Sequence, residues 1–166
     1  MTAAASRSGP FTTQIPVRFG DVDPAGIAYY PRLINFLHVA LEEFFAACVD
    51  KPYASAIEEG LLLPTAHLEI DFVAPVRFGD VLAVAVIVEH VGRTSVRIRY
   101  EGKVRQCRDG RWVLQPVLIA RSVVVAVMGA ALEPTPIPDW LREKLERHGD
   151  GTLDAPAEGP CIEGSR

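Results

Sequence analysis

The spacing of hydrophobic and polar positions changes along this chain, and each spacing predicts a different element. From Thr12 to Phe19, the apolar residues Ile15, Val17 and Phe19 alternate with polar neighbours, which is the period of a strand. The dense turn formers of GDVDPAG follow. From Pro31 to Val49, Leu33, Leu37, Ala40, Leu41, Phe44 and Cys48 recur at the spacing of one helical face. Ile34, Phe36 and Phe45 widen that stripe, so the helix is expected to be covered on most sides. Pro31 suits its first turn, where a missing N–H costs nothing, and Asp50, Lys51 and Pro52 end it. Four extended segments come next. Ala66 to Phe72 sets Leu68, Ile70 and Phe72 against His67, Glu69 and Asp71, and Val81 to Val91 is rich in valine. Thr94 to Arg105 opposes Val96, Ile98 and Tyr100 to Arg97, Arg99 and Glu101, and Trp112 to Met128 is long and β-branched. Gly79-Asp80, Gly92-Arg93 and Asp109-Gly110 punctuate these strands as turns. Asp139 to Arg147 reads as a short terminal helix.

One helix too apolar to face water, set among five strands, predicts an α+β fold in which an antiparallel sheet wraps the helix. Open sheet edges in so small a unit favour strand-to-strand dimerisation. The length of 166 residues, with 49% hydrophobic and 23% charged residues, fits one domain with a proper core. That domain is expected over residues 11–148. Residues 1–10 read as a flexible leader, and 149–166, rich in Gly, Pro and acid, as a disordered tail. No internal repeat is evident at this level. A net charge of −4 argues against a general nucleic-acid binder. Three cysteines without CxxC or histidine companions argue against a disulfide framework or zinc site and for a reducing compartment. The first residues lack a secretory apolar stretch, and the most apolar run, Val117 to Leu132, is interrupted by Arg121. A soluble cytoplasmic protein, without membrane or nucleic-acid partners, is the expectation.

GxGxxG, the phosphate-binding lysine motif, GxSxG and HExxH are all missing, which removes the usual warrants for nucleotide cofactors, α/β-hydrolase chemistry and zinc proteolysis. FGDVDPAGIAYYP, residues 19–31, carries the candidate chemistry. Asp21 and Asp23 stand just before an apolar helix whose first turn offers unpaired N–H groups and the positive end of a dipole. A carboxylate beside such donors suits acyl transfer, as base or nucleophile next to an oxyanion hole. The plainer alternative is that Asp23 only caps or turns the chain.

RFGDVDPAGIAYYPRLINFL resembles the active-site segment of the 4-hydroxybenzoyl-CoA thioesterase family, of the hotdog fold. The resemblance continues through LEIDFVAPVRFGDVL and EHVGRTSVRIRYE and covers roughly residues 12–130. It implies a hydrolase acting on an acyl-CoA or aryl-CoA thioester, with no metal or other cofactor beyond the coenzyme A of the substrate. It also implies a homodimer or dimer of dimers, often a homotetramer, with its sites at subunit interfaces. Asp23 matches the family's catalytic carboxylate, attacking the thioester carbonyl or activating a water. Tyr30 matches the position whose backbone N–H polarises that carbonyl. Gly26 then permits a positive φ and close backbone approach, unless it is a plain turn glycine. Asp21 is read as holding the loop through backbone N–H groups.

Coenzyme A carries phosphates, so basic residues should line the mouth of the site. The family's turn between its third and fourth strands corresponds here to Arg93, Thr94 and Ser95, with Arg97, Arg99 and Arg105 extending a basic strip. Solvated strand arginines are the alternative, above all for Arg99 and Arg105. Asp80 is read as a structural turn residue. Tyr29, Tyr30 and Phe36 are candidates to shape the acyl pocket, and His38 to face that pocket or a dimer seam. His67 is a candidate buried histidine. Two other functions remain open: a hotdog hydratase or dehydratase, disfavoured because no histidine accompanies the aspartate in its loop, and a non-catalytic acyl-CoA or acyl-carrier-protein binding module.

Overall fold

The structure, a computed structural model, describes residues 10–129 and 131–148. The expected leader, apart from Pro10, and the expected tail lie outside these residues. Five antiparallel strands form the main sheet in the order β1-β4-β5-β6-β3: β1 (Phe11–Pro16), β3 (Thr65–Phe72), β4 (Val81–Val91), β5 (Ser95–Arg108) and β6 (Arg111–Val125). Helix α1 (Tyr30–Cys48) packs on one face of it. This is the predicted α+β arrangement of one long helix against a five-stranded antiparallel sheet.

Alternation decides which side chains meet the helix. On β5, Val96, Ile98, Tyr100 and Val104 are buried; Val96, Ile98 and Tyr100 pair with the buried Val124, Ser122 and Ala120 of β6, and the buried Leu118 there faces Gly102. Helix α1 answers with Leu33, Phe36, Leu37, Ala40, Leu41, Phe44 and Phe45. Each fully buried ring or branched chain of this kind contributes roughly 1.5–3 kcal/mol of transfer free energy. Phe11 of β1 meets Phe44 edge-to-face at 5.8 Å, which seats the edge strand on the helix. The expectation that the helix is covered on most sides does not hold within this chain. Asn35, His38, Glu42 and Ala46 lie exposed on the face opposite the sheet.

Several boundaries differ from the sequence pattern. Phe19 does not continue β1 but sits in a single 3-10 turn, Phe19–Asp21, and is 80% exposed. The segment expected as one strand to Met128 breaks at Ala126, and β7 (Val127–Met128) joins β2 (Leu61–Leu62) and β8 (Glu133–Pro134) in a separate three-stranded sheet. A short helix α2 (Tyr53–Glu58) occupies the stretch read as a link. Two-residue strands carry too little pattern to be seen in sequence. The terminal helix α3 (Asp139–Glu146) is where it was expected, and at the β5–β6 hairpin Asp109 and Gly110 take φ of 50° and 74°, the primed-turn geometry their sequence favours. Asp50, with φ 56°, follows the C-cap of α1 in the role glycine usually fills. Cys107 takes part in a disulfide, which departs from the expectation of thiols only. No described helix is long and apolar enough to cross a membrane.

Gly102 marks a tight approach between neighbouring strands, where β5 passes its β6 partner Leu118. A Cβ there would lie 2.6 Å from Cγ of Leu118, itself buried. Gly102→Ala is therefore expected to destabilise the fold by about 1–3 kcal/mol through overpacking, read as a lower urea midpoint at an unchanged m-value.

Candidate active site

The loop between β1 and α1 is built around Asp21, whose polar groups all find partners. Its N–H donates to the carbonyl of Arg18 at 3.0 Å, and its own carbonyl accepts from the N–H of Tyr29 at 2.9 Å. One carboxylate oxygen, Oδ2, accepts from the N–H of Arg18 at 2.8 Å, and the other, Oδ1, accepts from Nε and Nη2 of Arg32 at 2.8 and 2.6 Å. The side chain is buried, so the structural reading of Asp21 holds, and Arg32 is a partner the sequence did not reveal. Burial pushes its pKa up, but the Arg18 N–H and the Arg32 guanidinium outweigh that and hold it below the ordinary carboxylate value.

Asp23 lies two residues on, at the start of a tight turn. Its carbonyl accepts from the N–H of Gly26 at 2.9 Å, its N–H donates to the carbonyl of Ile27 at 2.9 Å, and its Oδ1 accepts from the N–H of Ala25 at 2.9 Å. Pro24 occupies the position of such a turn that its fixed φ suits, and Gly26 takes φ 76°. The positive-φ expectation for Gly26 is thus met, while a Cβ there would touch nothing within 4 Å, so close approach is not the reason within one chain. Oδ2 of Asp23 has no partner among the described residues, and the side chain is half-exposed. The turn is therefore both a fixed Asx turn and a carboxylate with one open oxygen.

Helix α1 begins immediately beyond. Tyr29 is its N-cap residue, and its carbonyl receives the N–H groups of Arg32 and Leu33 at 2.8 and 3.4 Å. Pro31 has no N–H. The N–H of Tyr30 finds no acceptor among the described residues, which leaves one donor at the positive end of a 19-residue helix, in the turn that follows Asp23. The Tyr29 and Tyr30 rings meet edge-on at 5.3 Å, and both are about half-exposed. Phe36, by contrast, is core.

An internal repeat escaped the sequence reading. VRFGDV occurs at residues 17–22 and again at 76–81, and the two copies lie side by side with matching Arg–Asp contacts, though the first forms a 3-10 turn and the second turns through Gly79 at φ 88°. In each, the aspartate carboxylate accepts the N–H of the arginine three residues before it, Arg18 at 2.8 Å and Arg77 at 2.7 Å. Val17 N–H donates to the Asp80 carbonyl at 2.9 Å, and Gly79 N–H returns to the Val17 carbonyl at 3.0 Å. Asp80 is structural, as expected. Phe19 and Phe78 project from the paired turns and meet edge-to-face at 6.1 Å, 80% and 60% exposed. Ile27 bridges to Arg77, and Ala28 N–H donates to the Val76 carbonyl at 2.7 Å, so the Asp23 loop leans on the second copy.

The remaining candidates stand elsewhere. The Asp23 loop is tied to residues 76–80, just before β4, whereas Arg93, Thr94 and Ser95 follow its far end. Ten residue steps along β4 separate the two groups by about 30 Å. Arg93 is exposed, and Thr94 and Ser95 are half-buried. Arg97 faces away from α1 in a surface depression of about 330 Å³ that it shares with His67, Glu69, Glu89, Arg121 and Val123. His67 is therefore exposed rather than buried. The expected basic strip is interleaved with acid: Arg99 is held by Glu89 at 3.2 Å and by Glu101, and Arg121 by Glu89 at 3.3 Å. Arg105 lies over the Trp112 ring at 4.4 Å. His38 is on the solvent side of α1, about 12 Å along the axis from Tyr30, with Nε2 3.0 Å from Glu42. Among the described residues, no group of three or more His, Cys, Asp or Glu side chains is arranged to hold a metal ion.

Among the described residues, a carboxylate with an open oxygen precedes a helix whose first N–H is open, an arrangement that suits acyl transfer. The chain belongs to the thioesterase-like superfamily, whose family model matches residues 17–145, and it is a thioester hydrolase. It is 28% identical to a 1,4-dihydroxy-2-naphthoyl-CoA hydrolase of Synechococcus elongatus over 135 residues, covering 81% of this chain and 93% of that one. It is 26% identical to the corresponding hydrolase of Nostoc punctiforme, covering 82% and 86%. The 4-hydroxybenzoyl-CoA thioesterase of Pseudomonas sp. strain CBS-3 superposes with a TM-score of 0.71 at 27% identity, covering 81% of this chain and 98% of that one. The dynemicin thioesterase, at 20% identity, shares the fold with a TM-score of 0.75.

The lowered pKa of Asp21 makes its contribution to stability present above the ordinary carboxylate value near 3.8 and lost as pH falls through the lower folded value. Asp21→Asn is expected to lower stability by about 1–3 kcal/mol at pH 7, with the deficit closing below pH ~3.8, when unfolding of both proteins is followed across pH.

Proposed function

We propose that this thioesterase hydrolyses an aryl-CoA or related acyl-CoA thioester to the free acid and coenzyme A, with Asp23 as the catalytic carboxylate and the Tyr30 N–H as oxyanion donor. The single observation that carries this reading is the pairing of an Asp23 oxygen left open with an N–H left open at the start of α1. In the reaction the thioester carbonyl accepts from the Tyr30 N–H. Asp23 then either attacks the carbonyl carbon or takes a proton from an attacking water, and charge develops on the oxygen that faces the helix dipole. The C–S bond breaks and coenzyme A leaves as thiolate, taking a proton from solvent. On the first route water then hydrolyses the acyl anhydride formed on Asp23 and frees the acid, and on the second Asp23 gives the proton it took back to solvent. Gly26 serves by allowing the turn that fixes Asp23. The relatives named for naphthoyl and hydroxybenzoyl thioesters, and the exposed Phe19–Phe78 and Tyr29–Tyr30 pairs beside the loop, favour an aromatic acyl group.

Arg93, Thr94 and Ser95 serve the coenzyme A phosphates in this reading, but from the partner subunit. Strand β3 is an edge of the sheet. A two-fold axis pairing β3 with its copy in antiparallel fashion turns the partner end for end, which carries its Arg93 turn to the end where Asp23 stands. Tyr29 belongs to the mouth of the site. His38 and Arg97, which point elsewhere in the subunit, are weaker contributors.

Asp23→Asn keeps size and loses both nucleophilicity and basicity. It is expected to cut kcat by at least ~10²-fold on its best substrate while retaining thermal stability and binding of the thioester. Thiol release from a panel of aryl- and alkyl-CoA thioesters checks both halves: near-normal turnover by the variant sinks the assignment, and faster hydrolysis of straight-chain thioesters than of aryl ones sinks the acyl preference.

A further inference from the structure

The turn between β4 and β5 is held from outside, carbonyl by carbonyl, by the chain that follows β6. The carbonyls of Val91 and Gly92 accept from Nη1 and Nη2 of Arg142 at 3.4 and 2.7 Å. The carbonyl of Arg93 accepts from the Ile137 N–H at 2.9 Å, and that of Thr94 from the Ala126 N–H at 2.7 Å. The turn itself adds one bond, Gly92 N–H to the Ser95 carbonyl at 2.8 Å. Five successive carbonyls are thus satisfied, and the donors to four of them come from residues 126–142. Arg142 reaches the turn from α3, which is anchored by the buried Leu141 and Leu145, and Ile137 just before it is buried too. The Arg142 side chain is 29% exposed, and among the described residues it meets a carboxylate only at Glu146, 3.5 Å away. Two donors of one rigid fork therefore span two consecutive carbonyls, a contact that lysine cannot reproduce.

We infer that Arg142 is a positioning residue for substrate binding: it fixes the backbone from which Arg93, Thr94 and Ser95 meet the phosphate-bearing half of the thioester. The inference rests on the reading that this turn binds coenzyme A. A surface turn with a lone exposed arginine would otherwise sample many directions, and each phosphate contact would first have to order it. Arg142 removes that cost in advance, because its fork sets the plane of the peptide groups on either side of Gly92. It touches no substrate atom in this account. Its effect is therefore confined to ground-state and transition-state binding alike, which changes KM and leaves kcat in place.

The test uses the full chain and compares Arg142→Met, which keeps the stem and loses the fork, with Arg93→Ala and the double variant. Arg93→Ala is expected to raise KM for a CoA thioester about five- to tenfold with kcat unchanged. Arg142→Met should raise KM by a similar factor and leave kcat unchanged. It should also leave KM unchanged for the same acyl group on a substrate truncated to pantetheine. The double variant should be worse than Arg93→Ala alone by much less than the product of the two effects, because Arg142 acts largely through Arg93. If Arg93→Ala leaves KM unchanged, the coenzyme A reading of the turn fails, and this inference fails with it. If Arg93→Ala raises KM but Arg142→Met does not, or if their effects multiply, the positioning role alone is overturned. Should Arg142→Met not fold, Arg142→Lys replaces it, with an intermediate KM expected and a wild-type KM contradicting the inference.

Discussion

One buried carboxylate organises the end of the molecule where the chemistry is placed. Asp21 receives the Arg18 N–H and the Arg32 guanidinium, and its carbonyl receives the Tyr29 N–H. Those contacts join the end of β1 to the first turn of α1. Together with the Asp23–Ile27 bond and the Ile27 and Ala28 contacts to residues 76–77, they fix the turn carrying Asp23 relative to the donor at Tyr30. The arrangement has a physical logic: a buried charge is costly unless every lone pair is used, and the groups that use these are the ones whose positions matter. Asp23 contrasts with it. The same loop contains one aspartate whose oxygens are all engaged and one with an oxygen left over, and only the second has capacity for a substrate.

Much of the fold was legible because its elements are long. Helix α1 and the strands β3 to β6 each repeat their period several times, so periodicity fixed their type and nearly their limits. The features that escaped are short or depend on tertiary context. β2, β7 and β8 have two residues each, and Phe19 looked like the next inward residue of β1 because alternation cannot show where a strand stops. The candidate site was legible in part for the same reason. The DPAG turn has local causes in Asp23, Pro24 and Gly26, whereas Arg32 reaches Asp21 across eleven positions and Arg142 reaches Gly92 across fifty. The VRFGDV repeat was readable in principle, since six identical residues recur. Its meaning lay in the side-by-side packing that sets Phe19 against Phe78.

The separation of the two candidate groups has the largest functional consequence. A strand of eleven residues stands between the Asp23 loop and the Arg93 turn, and the proposed function therefore draws the two from different subunits. The open β3 edge and the exposed aromatic surface around Phe19, Phe78, Tyr29 and Tyr30 are what a chain that completes its site with a second copy would leave uncovered. The exposed face of α1, with His38 and Glu42 paired on it, gives the helix a further surface that the sheet does not use. On this account assembly is part of the chemistry, because it brings the phosphate-binding turn to the acyl-transfer end.

That claim is tested most directly by complementation between two crippled chains. Asp23→Asn and Arg93→Ala chains, co-expressed so that mixed dimers form, are assayed with a CoA thioester well below KM. If one subunit supplies Asp23 and its partner supplies Arg93, half of the sites in a mixed dimer regain both groups. Random assembly then gives about a quarter of the wild-type sites, above the roughly 10–20% that Arg93→Ala retains below KM and several-fold above the average of the two parents. Activity no greater than the average of the two parents would contradict the account, since it would mean that each chain uses its own Asp23 and its own Arg93.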